Sequence, residues 1–172
     1  TLSCSTTLDD VLIIKLDSSD NYVWHWNDNA YLSDSRDIIV NSSGDVFATY
    51  YVQYNQTEIC GTSIDAGTEN YYYVLVKLDS TGTCQWFYRN DRSTNNRNLV
   101  FHLGLDSSDN IYFLNEYTES GLITQFISVF NDQGIQQNSL NTSGFDFVFD
   151  SDDNIYLFQT PQTIKRSLSD IE

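Results

Sequence analysis

A repeated strand-turn-strand phrase constrains this chain more than any other feature. Lys77-Leu78-Asp79-Ser80-Thr81-Gly82-Thr83-Cys84-Gln85-Trp86 has an earlier twin in Lys15-Leu16-Asp17-Ser18-Ser19-Asp20-Asn21-Tyr22-Val23-Trp24. Each reads as an apolar run, a tight polar turn and an aromatic run, the signature of a hairpin. Asp and Asn favour such turns because their side chains bond the backbone two residues on and tolerate left-handed geometry. A second phrase alternates with the first: Leu105-Asp106-Ser107-Ser108-Asp109-Asn110-Ile111-Tyr112, echoed by Phe149-Asp150-Ser151-Asp152-Asp153-Asn154-Ile155-Tyr156.

Read end to end, the pattern gives six hairpins, at about 10–28, 37–53, 71–88, 99–117, 122–139 and 144–160, with side chains alternating at period two. The double unit recurs roughly every 45 to 65 residues, the range of a four-stranded repeat. Aromatics make up 15% of the 172 residues and there is one Pro, which favours pleated sheet over helix. The expectation is an all-β fold in a single domain over 1–172. Residues 1–8 read as an arm, and 54–70 and 89–98 as long loops that decorate the repeat.

The net charge of -16 sets Coulomb repulsion against nucleic acid and anionic lipid. No stretch approaches the roughly 20 apolar residues of a membrane helix. Nucleic acid and membrane insertion are therefore not expected. Met is absent even at position 1, which fits a processed mature protein or a piece of a longer product.

The phrase K-L-D-S-x-G-x-x-x-W followed by D-S-x-G-N-x-Y resembles the bacterial extracellular β-propeller repeat. Its first half matches at Lys15 to Trp24 and Lys77 to Trp86. Its second half matches at Asn41 to Phe47, Asp106 to Tyr112 and Asp150 to Tyr156. In a third copy of the first half, Asn131-Asp132-Gln133-Gly134 keeps the turn while Asn138 stands at the Trp position. Asp20, Asp109 and Asp153 stand where the family has Gly.

The resemblance implies a propeller-like array of four-stranded antiparallel blades and an extracellular or cell-surface location. It implies no catalytic residue. Two complete blades fall at about 37–88 and 99–139, with a half blade at each end. The halves could join into one sheet, giving about three blades' worth, whereas rings typically need at least four. Other copies or further chain would then complete the array, as a closed oligomer or a head-to-tail filament.

Candidate chemistry is sparse. Asp150, Asp152 and Asn154 have the opening spacing of a calcium loop. Ile155 and Pro161 stand where an EF-hand needs Gly and Glu, so only a simpler Ca2+ site is left, against a turn held by its own side chains. Sequons place N-glycosylation candidates at Asn41, Asn55 and Asn141, all in expected turns or loops. Arg89, Arg92 and Arg97 give an acidic chain a basic loop, either a docking site for carboxylates or a solvated surface. Among three cysteines, Cys4 and Cys60 lie in expected loops and could pair in an oxidising compartment, with Cys84 in a strand. Trp24, Trp26 and Trp86 read as inter-blade packing or as a sugar-stacking platform. His25 and His102 read as ordinary strand residues, and no catalytic motif is present.

The functional expectation is a structural or adhesive module acting on other extracellular proteins or on copies of itself. The alternatives are a carbohydrate-binding propeller and a hydrolase with its site at the ring's centre.

Overall fold

The computed structural model describes residues 11–28, 33–53, 56–65, 71–90, 100–119, 122–142, 144, 146–158 and 164–166. Strands β1 (Leu12–Leu16) and β2 (Tyr22–Asn27) form a two-stranded sheet. Strands β3 (Ser33–Val40), β4 (Val46–Gln53), β5 (Gln56–Ile59), β6 (Thr62–Asp65), β7 (Tyr71–Leu78) and β8 (Cys84–Asn90) follow. Of these, β3-β4-β7-β8 make a four-stranded sheet, and β5-β6 make a separate hairpin. Strands β9 (Val100–Leu105), β10 (Ile111–Glu119), β11 (Leu122–Phe130) and β12 (Gln136–Thr142) make a second four-stranded sheet. Strands β13 (Asp146–Phe149), β14 (Ile155–Phe158) and β15 (Ile164–Arg166) make the last. Every pairing is antiparallel, and the fold is all-β.

Six five-residue turns repeat one design. The first residue is always Asp or Asn: Asp17, Asn41, Asp79, Asp106, Asn131 and Asp150. Its backbone N–H donates to the carbonyl of the fifth residue, and its own carbonyl accepts from the N–H of the fourth. Its side-chain Oδ1 accepts the N–H groups of the third and fifth residues at 2.8–3.1 Å in all six. The fourth residue is left-handed. Asp20, Asp109 and Asp153 adopt φ 60–63°, beside 75–84° for Gly44, Gly82 and Gly134. Asp thus replaces Gly without changing the turn, because its short polar side chain tolerates that region.

The sheets stack in series, and alternation decides which way each side chain faces. From β4, Val46, Ala48, Tyr50 and Val52 enter a first core with Ile13, Trp24 and Trp26. Phe47, between them, enters a second core with Leu103, Phe113 and Phe130. From β10, Phe113 faces that second core, while Tyr112 and Leu114 face a third with Phe147 and Leu157. Both four-stranded sheets are therefore buried on two faces, each large side chain contributing about 1.5–3 kcal/mol. The first strands lie side by side, β3 against β9 and β9 against β13.

Two expectations about the chain's course are corrected. The stretch 54–70 is not a plain loop, since β5 and β6 lie within it, joined by Cys60-Gly61 with φ 52° and 72°. Two left-handed residues make the turn whose twist matches a hairpin. One buried Ile on each strand, Ile59 and Ile64, anchors it in the first core, too thin a pattern to read as strand. Nor do the two half sheets join among the described residues. The far edge of β14 carries β15, and among the described residues β1 pairs with β2 alone.

Candidate functional site

Two repeated devices lock one sheet to the next. Lys15 pairs with Trp24 across β1-β2, and Lys77 with Trp86 across β7-β8. Trp24 Nε1 donates to the Ser80 carbonyl at 3.0 Å, and Lys15 Nζ to the same oxygen at 3.1 Å. One sheet on, Trp86 Nε1 donates to the Asp132 carbonyl at 2.8 Å, while Lys77 Nζ bonds the Asp132 carboxylate and lies 3.0 Å from Asp45. Burial pulls Lys77 down, but hydrogen bonds to Asp132 and Asp45 hold it above its ordinary value. The indole lies on the turn glycine, so a Cβ at Gly82 or Gly134 would fall 2.7 Å from the ring of Trp24 or Trp86. Packing between sheets is thus the role of these two tryptophans. The next pair in register is Val129 and Asn138, which lack both groups.

The second device joins the other turns. Ser42 Oγ donates to Asp109 Oδ2 at 3.4 Å. Ser107 donates through its N–H to Asp153 Oδ1 at 2.8 Å and through its hydroxyl to Oδ2. Asp109 and Asp153, two of the Asp residues at the fourth turn position, are therefore inter-sheet acceptors.

A third group lies along the first strands. His102 Nδ1 is 3.0 Å from Asp37 Oδ2, and Nε2 is 3.5 Å from Asp146 Oδ1. Asp37 Oδ2 also accepts the Leu103 N–H at 2.7 Å. The His102 ring meets Phe147 edge-on at 5.1 Å. Burial raises Asp37, but the hydrogen bonds from His102, Leu103 and Ile38 outweigh it and hold the carboxyl below its ordinary value. The bond to Asp37, opposed by burial and helped by the charge of Asp146, raises His102. His102 is thus no ordinary strand residue. Asp37, His102 and Asp146 each sit four residues before the first turn position, at Asn41, Asp106 and Asp150. Aligning the repeats would have put the three in one row.

The sequence-derived candidates divide. Asp150 Oδ1 accepts from the backbone of Asp152 and Asn154 and from the Asn154 amide; Oδ2 accepts from Asn154 and from the Tyr156 hydroxyl at 3.0 Å. Its lone pairs face N–H and O–H donors, which suits a turn rather than a cation. Burial raises Asp150, yet those donors win and hold it at about 2. Among the described residues, no group of three His, Cys, Asp or Glu is arranged to hold a metal.

Asn41 is buried, with its Oδ1 closing a turn. Asn141 is exposed, but on strand β12 rather than in a loop. Asn55 lies outside the described residues. Arg89 is not in a loop either. It is the last residue but one of β8, half-buried, with its guanidinium 5.6 Å from the Tyr72 ring centre. Arg92 and Arg97 lie outside the described residues.

Cys60 bonds Cys84, with Cα atoms 5.5 Å apart, so the expected Cys4–Cys60 pairing is corrected. The physical reason is the β5-β6 hairpin, which lies on the first core and brings its tip to the start of β8. Cys4 lies outside the described residues. Trp26 packs on Tyr50 at 6.2 Å within the first core, not on an open platform.

Last, a groove runs between β1 and β3, as two adjoining depressions of about 260 and 270 Å³. Ile14, Leu16, Ile38 and Val40 line it and are all exposed. No protein-family model matches the chain, and no curated protein does.

Proposed function

We propose that this chain is a β-propeller-type repeat module of the extracellular space or cell surface, structural or adhesive, working through contacts with other proteins and with its own copies. The observation that carries this reading is the serial stack of sheets, the first three clasped in turn by a recurring Lys-Trp-turn device, with apolar residues exposed on the sheets at both ends. First strands lying side by side support a fan about an axis, as in a propeller blade array. The Cys60–Cys84 bond supports an oxidising compartment. Asn141, exposed on an edge strand, stays a glycan position in this reading, as does Asn55, which lies outside the described residues.

The carbohydrate-binding alternative loses its platform where Trp24 and Trp26 turn into the first core. The hydrolase alternative would draw on Asp37, His102 and Asp146, but both carboxylates are engaged across sheets by the same imidazole. A cryo-electron microscopy reconstruction tests the architecture, with sheets fanned about an axis as the expected result and two flat facing layers as the contrary one. A glycan array should stay silent. A signal lost on Trp26→Ala would transfer the protein to the lectin reading.

A further inference from the structure

We infer that the groove between β1 and β3 receives the β13-β14 hairpin of a second copy of this chain, and that two copies exchange these hairpins to close a dimer of six sheets. This rests on the propeller-type reading above and names its partner.

The repeat supplies its own controls. By register, β1, β7 and β11 are equivalent strands. On the side away from β8 and β12, β7 carries β4 and β11 carries β10. Among the described residues β1 carries no counterpart there. Side chains record the difference. Leu16 is 51% exposed, while its equivalents Leu78 and Phe130 are fully buried. Ile38 on β3 is 52% exposed, while Leu103 and Phe147 at the same position are at 1%. Leu103 and Phe147 lie in cores shared with the preceding sheet, whose first hairpin supplies Phe47 to the one and Tyr112 and Leu114 to the other. What the groove lacks is therefore a hairpin of that kind.

The chain owns one that is half covered. In β13-β14, Val148 and Phe158 face away from the third core, and Phe158 is 59% exposed where its equivalent Leu114 is fully buried. Seated beside β1 of another copy, this hairpin would bring Val148 and Phe158 against Ile38 and Val40, apolar on apolar.

The edge of β14 that must pair with β1 holds β15. Tyr156 pairs with Lys165 as Phe47 pairs with Lys77, so β15 occupies the register position of β7, with three residues among those described. Strand β1 is the same kind of strand with five, and carries Lys15 at that place. Among the described residues, exchange thus sets a five-residue strand in place of a three-residue one.

Stoichiometry follows. Each copy contributes two four-stranded sheets, and each exchanged hairpin completes one more, giving six for the pair. Closure within one chain would give three. Rings of about four to eight blades close, so the pair fits and the single chain does not. Swapping identical elements is isologous and needs only two-fold symmetry. The charge of -16 on each copy opposes the association, so salt should strengthen it by screening.

Sedimentation equilibrium of the full chain tests this. The expected particle has twice the 19.8 kDa chain mass, and tightens as salt rises. Ile38→Asp and Phe158→Asp should each weaken association at least tenfold. Ile135→Asp, equally exposed but on a turn outside the groove, should not. Ending the chain before Ile164 removes the competing strand and should tighten the dimer, a gain that misfolding does not imitate. A single-chain mass at about 100 μM in high salt overturns the inference. So does a dimer indifferent to Ile38→Asp and Phe158→Asp, or one weakened by the shortening. A monomer whose sheets still fan about an axis would defeat the exchange alone and leave the module to another partner.

Discussion

Single atoms decide much at the turns. Gly82 and Gly134 are left-handed, and each has an indole resting where a Cβ would go. Gly82→Ala or Gly134→Ala should cost about 2–4 kcal/mol, combining the left-handed penalty with displacement of the ring. Gly61 is left-handed too, at φ 72°, but open space surrounds it. Gly61→Ala should cost only about 1–2 kcal/mol. Urea unfolding of the three variants checks both figures, and equal losses would show that the indole contact does not matter. His102 sets a pH dependence. Asp37 from β3 and Asp146 from β13 are the charged groups facing it, and its pKa is raised. Its contribution is complete below the unfolded value of about 6.5 and fades as pH rises through the higher folded one. Asp37, whose pKa is lowered, contributes above its unfolded value and loses that as pH falls through the folded one. The contact is therefore strongest between about pH 4 and 6.5. His102→Gln should lose more stability relative to the native chain at pH 5.5 than at pH 8, measured by paired melting curves.

At the scale of elements, the β5-β6 hairpin is an insertion fixed at two ends. Ile59 and Ile64 are buried in the first core, and Cys60 ties its tip to Cys84 across 24 residues of chain. A loop of that length constrains the unfolded chain by about 3 kcal/mol. The double variant Cys60→Ser, Cys84→Ser should lose about that much in denaturant unfolding, and reducing agent should lower the native chain to the same midpoint without affecting the variant. A native midpoint indifferent to reductant would remove the bond from the account. Composition shows three cysteines but not their partners. The pairing became legible only once the insertion was seen to fold back over the sheet. Arg89 shows the same limit from the other side. Its basic neighbours in sequence suggested a loop, yet β8 continues through it opposite Val74.

The whole molecule behaves as a stack. The two central sheets are buried on both faces, the terminal ones on a single face. In such an array, stability depends on nearest-neighbour interfaces, and the ends open first. Amide hydrogen exchange at low protein concentration should protect β4, β7, β10 and β11 most, and β1-β2 and β13-β14 least. At concentrations where copies pair, protection of the terminal sheets should rise toward that of the centre. Uniform protection along the chain would contradict a serial stack. The six hairpins, the two four-stranded units and the inter-sheet role of Trp24 and Trp86 were all legible beforehand, because each depends on local alternation and on one turn chemistry repeated.

The chain's order of residues dictated the strands of its six repeat hairpins, their Asx-closed turns and the phase of the repeat, since a period of two and a first-position Asp or Asn act over a few residues. Tertiary structure alone decided which distant groups meet. It set Cys84, not Cys4, against Cys60, and His102 between carboxylates 65 and 44 positions away in sequence. It also buried Asn41 and left Ile38 bare. The physical reason is that alternation tells a side chain which face it takes, whereas the neighbour across that face depends on how the sheets stack.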